Sequence, residues 1–215
     1  MKKRINRVYN KLYRSFGRQN WWPAKTRFEV IVGAMLTQNT SWSNVEKAIH
    51  NLRRDKLLTL RSLSKAQIKD IASAIKPSGY FNIKAKRLKN LLNYIKEEYN
   101  GSLAKMASKD TLSLREKLLS VNGVGPETAD SILLYAFNKP VFVVDAYTKR
   151  IFSRLNIVPA NATYEEIQKI FLNNLDKSAP LYNEYHALIV KLGKDYCHKS
   201  KPNCNQCPVK NEHRS

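Results

Sequence analysis

Apolar residues along the chain recur at the three- and four-residue intervals that place them on one face of a helix. Phe28, Ile31, Val32, Met35 and Leu36 form one such set, Leu88, Leu91, Leu92 and Ile95 a second, and Ala129, Ile132, Leu133, Ala136 and Phe137 a third. Leu181, Tyr185, Leu188, Ile189 and Leu192 add a late helix, and Ile5, Val8, Leu12 and Phe16 predict an amphipathic N-terminal helix that docks by its apolar side. One apolar run departs from the pattern: "PVFVVD" at 140–145 is too brief and isolated to make a sheet. Breaks fall at 17–23, 77–79, 100–102, 122–126, 138–140 and 160–163. No internal repeat or low-complexity segment interrupts the series, and the linkers are too short for independent beads. The pattern predicts an all-α protein of two apposed helical lobes.

Length permits this, since 215 residues can bury one large core or two small ones. Charge narrows the class. Lys and Arg number 38 against 17 Asp and Glu, a net charge of +21 spread from Lys2 to Arg214. Such a distributed excess points to a polyanion, most simply nucleic acid, with a solvated basic surface as the alternative. No stretch approaches the roughly 20 apolar residues of a membrane span. The basic start "MKKRINRVYNKLYRSFG" lacks the apolar segment of a secretory signal, so a cytoplasmic protein is expected.

The corner "LSVNGVGPETAD" gives the charge a candidate use. Leu118, Leu119 and Val121 finish one helix, Gly123 and Gly125 permit conformations that residues with a Cβ resist, and Pro126 suits the first turn of the next helix. Without side chains around Val124, the loop N–H groups can approach a phosphate and hold a nucleic-acid backbone without reading its sequence. An ordinary tight turn between helices is the alternative. Further on, Asp145 closes the apolar run and opens "AYTKRIFSRL"; such a carboxylate is commonly a helix cap.

Taken together, "VNGVGPETADSILLYAF" and "VFVVDAYTKRIFSRL" resemble the helix-hairpin-helix DNA glycosylases, whose motif is a hairpin, a Gly/Pro-rich loop and an essential Asp. "FEVIVGAMLTQNTSWSNVEKAI" is similar to the endonuclease III segment whose glutamine enters the DNA, with Gln38 at that position. "IKPSGYFNIKAKRL" is similar to the segment with an intercalating side chain after a glycine, which falls on Tyr80. "CHKSKPNCNQC" matches the first three ligands of the family's iron-sulfur loop in Cys197, Cys204 and Cys207. The resemblance runs from about Phe28 to the C-terminus. It implies a six-helix barrel-like domain with the helix-hairpin-helix at 25–138, and a second lobe from 1–24 and 139–215 with a cysteine loop at 197–213. It also implies a monomer that flips a damaged base out of duplex DNA into a cleft between the lobes.

Two departures from the family pattern shape the expected activity. Bifunctional members carry a hairpin lysine that forms a Schiff base; here that position is Glu127, and a carboxylate cannot do this. A monofunctional enzyme is expected, with Asp145 beneath the sugar stabilising its developing positive charge and directing water. The adjacent Trp21 and Trp22, one expected in the core and one in the base pocket, resemble the 3-methyladenine glycosylase branch, and Trp42 is a further candidate wall. Electron-rich faces suit a base made cationic by alkylation. The alternatives are a mismatch glycosylase for uracil or thymine opposite guanine or adenine opposite oxidised guanine, and a non-catalytic DNA-binding module. Asp145 argues against the last, because pure binding has no use for a buried acid.

The second departure lies at the expected fourth ligand, where His213 replaces cysteine. Three thiolates and an imidazole could hold a 4Fe-4S cluster or zinc, and an empty site is a third possibility. His198, Lys199 and Lys201 on that loop are candidates to meet a DNA phosphate.

Overall fold

The computed structural model describes residues 1–214, and the side chains of residues 1–212. Among the described residues every regular element is helical. The α-helices in chain order are α1 (Lys2–Phe16), α2 (Arg27–Leu36), α3 (Trp42–Arg54), α4 (Leu60–Lys65), α5 (Ile68–Ala74), α6 (Phe81–Tyr99), α7 (Leu103–Ala107), α8 (Thr111–Leu119), α9 (Pro126–Ser131), α10 (Ala146–Arg154), α11 (Tyr164–Asn174) and α12 (Ala179–Asp195). None of the described helices is long and apolar enough to cross a membrane. The chain divides into two compact units, Ala24–Phe137 and a second made of Met1–Pro23 with Asn138–Ser215.

In the continuous unit, α2 is buried on every side from Phe28 to Leu36. Thr26 starts it by accepting from the Glu29 N–H, a helix cap worth about 1 kcal/mol. It packs on α3, α6 and α9. Leu88, Leu91, Leu92 and Ile95 of α6 are fully buried, as their spacing predicts. The helix after the hairpin differs from expectation: α9 ends at Ser131 and the chain widens into a π-helical turn over Ile132–Ala136. This stretch is buried on every side, Asp130 and Ser131 before the wider turn as well as Leu133 and Leu134 within it.

A buried lysine braces one corner of this unit. Lys84 donates its ammonium to Leu36 O (2.9 Å), at the end of α2, and to Ser78 O (2.6 Å), just before Gly79 and Tyr80. Both of the latter have positive φ, 68° and 45°. The two bonds tie the left-handed corner that presents Tyr80 to the buried helix.

The second unit closes around an aromatic cluster. Phe142 stacks on Phe171 at 4.0 Å between ring centroids, and Phe152 meets Phe171 edge-on at 4.7 Å. Tyr185 donates its hydroxyl to Ile5 O (2.8 Å), joining α12 to the apolar face of α1. The apolar run Val141–Val144 is buried in this cluster without pairing as a strand. Its backbone is satisfied by side chains instead: Gln168 donates to Phe142 O (2.7 Å) and the Val144 N–H donates to the Tyr164 hydroxyl (3.3 Å).

Burial lowers the pKa of Lys84 from 10.5 to about 8, with the Arg87 charge adding to the effect. Between those values the unfolded chain holds the proton that the folded chain has lost, so stability rises with pH there. Urea denaturation of the wild type and Lys84→Met should therefore show a difference that grows in the wild type's favour from about pH 8 to about 10.5, by at most about 1.4 kcal/mol per pH unit. A constant difference would show that Lys84 does not titrate in this way.

Candidate active site

Asp145 stands where the buried run ends and α10 begins. Its backbone is extended and its Oδ1 accepts from both the N–H (2.7 Å) and the hydroxyl (2.8 Å) of Thr148. The cap reading of Asp145 is thus correct, but capping engages only one carboxylate oxygen. Oδ2 faces His186 of α12, whose Nε2 is 3.6 Å away, and the Asp145 side chain is 11% exposed. Burial raises its pKa, but the nearby His186 imidazole and the two Thr148 bonds outweigh it, leaving the carboxyl below the ordinary range.

The two helices approach closely because Gly193 leaves room for Tyr147: a Cβ at Gly193 would overlap the tyrosine ring. Arg150 lies over that ring at 4.9 Å and donates to Gly193 O (3.2 Å) and Cys197 O (2.9 Å). This docking sets the distance between Asp145 and His186.

The hairpin is built in the other unit. Asp130 is fully buried and takes a two-pronged ion pair from Arg115, at 2.6 and 3.0 Å, joining α9 to α8. Gly123 has φ +95°, and the Arg87 side chain lies where its Cβ would be. Gly125 opens α9 with φ −94° and open space around it, while Val124 is buried. Glu127 lies exposed in the first turn of α9.

Gln38 is bound into this hairpin. Its amide donates to Gly123 O (2.9 Å) and Thr128 Oγ1 (3.0 Å), and its oxygen accepts from Arg87 (2.8 Å). Tyr80 is 66% exposed.

Residues 32–177 match the HhH-GPD superfamily of base excision DNA repair proteins. The chain belongs to that superfamily. A protein of Methanocaldococcus jannaschii provisionally named a DNA repair glycosylase is 53% identical over 96% of this chain and 94% of its own. The structure of an H. pylori 3-methyladenine DNA glycosylase bound to 1,N6-ethenoadenine is 30% identical, with a TM-score of 0.76 over 90% of this chain and 95% of the other. The fold is also that of an endonuclease III in a non-covalent DNA complex, with a TM-score of 0.85 over 100% of this chain and 95% of the other at 20% identity. The protein is a DNA glycosylase of base excision repair.

The tryptophans of this HhH-GPD protein fall in both units. Trp21 and Trp22 have ring centroids 5.2 Å apart at 48°. Neither is a core residue, since both are half-buried, which corrects the expectation that one would be core. Trp42 is half-buried at the start of α3 in the other unit.

Lys199 and Lys201 are exposed on the cysteine loop, where Arg154 donates to Lys199 O (2.8 Å), His198 O (2.7 Å) and the Cys197 sulfur (3.2 Å). Burial raises the Cys207 thiol, and the charges of Cys197 and Cys204 raise it further. Among the described residues no three His, Cys, Asp or Glu groups gather around a single metal ion. Cluster ligands bind separate irons, so this donor set remains compatible with a 4Fe-4S group. The His213 side chain lies outside the described residues.

The sequence reading missed His186, Thr148, Arg87, Lys84 and Glu212. Thr148 had a local signal, three residues after a capping Asp. Glu212 is buried and paired with Arg7 (2.8 Å) and Lys11 of α1, a contact between chain ends that no local pattern records.

The hairpin glycines should separate in their response to a methyl group. Gly123→Ala combines positive φ with overlap on Arg87, so urea denaturation should show a loss of about 1–3 kcal/mol. Gly125→Ala meets open space and should stay within about 0.5 kcal/mol. Equal losses would contradict this account of the loop.

Proposed function

We propose that this protein is a monofunctional DNA glycosylase that acts as a cytoplasmic monomer, flips a damaged base from duplex DNA and hydrolyses its N-glycosidic bond. The observation that carries the reading is Asp145, a carboxylate held anionic while nearly removed from water. As the C1′–N bond lengthens, its electron pair leaves with the base and positive charge develops on the sugar. The Asp145 anion stabilises that charge. Water then bonds to C1′ and gives a proton to the carboxylate, leaving an abasic site. Glu127 at the position of the family's lysine supports hydrolysis over the Schiff-base route, since it has no amine to attack the sugar.

In this reading Gly123, Val124 and Gly125 receive the phosphate backbone, Lys199 and Lys201 add contacts, and Tyr80 wedges the duplex. Gln38 fills the vacated position by exchanging its hydrogen bonds to the hairpin for contacts with DNA. The substrate class is alkylated purines such as 3-methyladenine. The tilted faces of Trp21 and Trp22, with Trp42 as another wall, suit a cationic base, and the 30%-identical H. pylori glycosylase with bound ethenoadenine supports the same class.

Cys197, Cys204 and Cys207, with His213 as the fourth ligand, are proposed to hold a 4Fe-4S cluster. When bound it would cross-link the C-terminal loop, and no step of base removal passes through it.

Purified protein should release alkylated purine from a duplex carrying one such lesion, with strand breaks appearing only after hot alkali. Breaks without alkali would mean that another amine attacks the sugar. Release of only uracil or thymine opposite guanine, or adenine opposite oxidised guanine, would transfer the enzyme to the mismatch class.

A further inference from the structure

We propose that His186 is a positioning residue for Asp145, directing Nε2–H at Oδ2 from α12 while Thr148 fixes Oδ1, so that the carboxylate keeps one orientation and its negative charge. The inference rests on the glycosylase reading of Asp145. It adds a residue to that site which the sequence motifs do not mark.

The geometry is that of an acid held from two sides. Thr148 supplies two donors to Oδ1, at 2.7 and 2.8 Å, both from the first turn of α10. They fix where the carboxylate sits but leave rotation of Oδ2 to be decided by what it faces. It faces the His186 imidazole, 3.6 Å away and itself only 9% exposed in its side chain. At that separation the contact is longer than a hydrogen bond, and such contacts in ligand-free enzymes tighten when substrate binds. The backbone placing His186 is rigid, because Gly193 lets Tyr147 lock α10 against α12 and Tyr185 anchors the neighbouring position of α12 to Ile5 O.

Other ionisable groups on the surrounding elements are engaged elsewhere. On α10, Lys149 donates to Ala162 O, and Arg150 to Cys197 O and Gly193 O. On α12, Glu184 accepts from the Gln19 N–H, and burial keeps the Tyr185 phenol protonated. On α1, Tyr9 lies edge-on against Tyr185, and at the start of α11 the Tyr164 hydroxyl accepts from the Val144 N–H. It is the His186 imidazole that opposes the burial which would otherwise push the Asp145 carboxyl up.

The test uses the full-length protein with His186→Phe, which removes the donor, and His186→Gln, which keeps an N–H without the charge. Single-turnover base release by the wild type should show no acid limb above about pH 4.5. In His186→Phe the acid limb should move up into the range where the wild type is flat, because burial is no longer opposed by the imidazole, and release at pH 5 should fall by about twofold or more. His186→Gln should lie nearer the wild type. By carbon-13 NMR the wild-type Asp145 carboxyl, assigned by its loss in Asp145→Asn, should titrate at lower pH than in His186→Phe or His186→Gln. A His186→Phe profile that overlays the wild type, a His186→Gln profile matching His186→Phe, or an Asp145 carbon indifferent to His186 would each refute the role. Should His186→Phe fail to fold, the glutamine variant and the NMR titration still decide. If the wild type releases no base from any duplex, the glycosylase reading fails, while the NMR titration still answers for the pair.

Discussion

A carboxylate that must remain charged while almost out of water sets the terms for the unit that contains it. An isolated buried anion would take up a proton instead of paying the cost of desolvation. Asp145 escapes this because its position is prescribed from both ends. Upstream, Val141–Val144 is fixed among Phe142, Phe171 and Tyr185. Downstream, the first turn of α10 provides the Thr148 donors. The docking of α10 on α12 through Tyr147 and Gly193 then brings His186 to the second oxygen. The aromatic core, the glycine contact and the helix cap thus converge on a single ionisation state.

The unit carrying the hairpin follows a different logic, in which polar groups immobilise backbone. Arg115 and Asp130 cross-link α8 and α9 in the interior. Breaking such a buried pair by removing one partner typically costs about 3–5 kcal/mol. Arg87 passes beneath Gly123 and ends on Gln38, which in turn holds Gly123 O and Thr128. Lys84 does the same for the corner before Tyr80. A loop that meets a phosphate backbone without reading sequence benefits from being rigid before it binds, since little ordering remains to be done.

Much of this was legible in the chain. Helical spacing located the buried faces of α1, α2, α6 and α12, and the quoted motifs led to the family through residues that lie within or beside the hairpin and Asp145. Spacing could not reveal the π-helical turn at Ile132–Ala136, because a short apolar run reads alike at either pitch. Nor could it show that Gln38 is bonded to the hairpin 85 residues away. His186 was illegible for the same reason. It sits beside the apolar positions Tyr185 and Ile189 on α12, and its approach to Asp145 depends on the Tyr147–Gly193 contact between helices. The tryptophan pair differs in another way: one ring was expected in the core and one in the base pocket, whereas both are half-buried with their rings 5.2 Å apart.

If the charge on Asp145 drives departure of the base, neutralising it at constant shape should stop the reaction. Asp145→Asn preserves the size of the side chain and a carbonyl oxygen that can still accept from Thr148, so it removes charge with little else. The measurement is single-turnover base release by this variant, alongside its affinity for the same lesion duplex. Release should fall by at least about a hundredfold, the scale of an electrostatic or acid–base contribution, with affinity unchanged or higher. Release at the wild-type rate, or affinity falling in step with activity, would contradict that role for the charge.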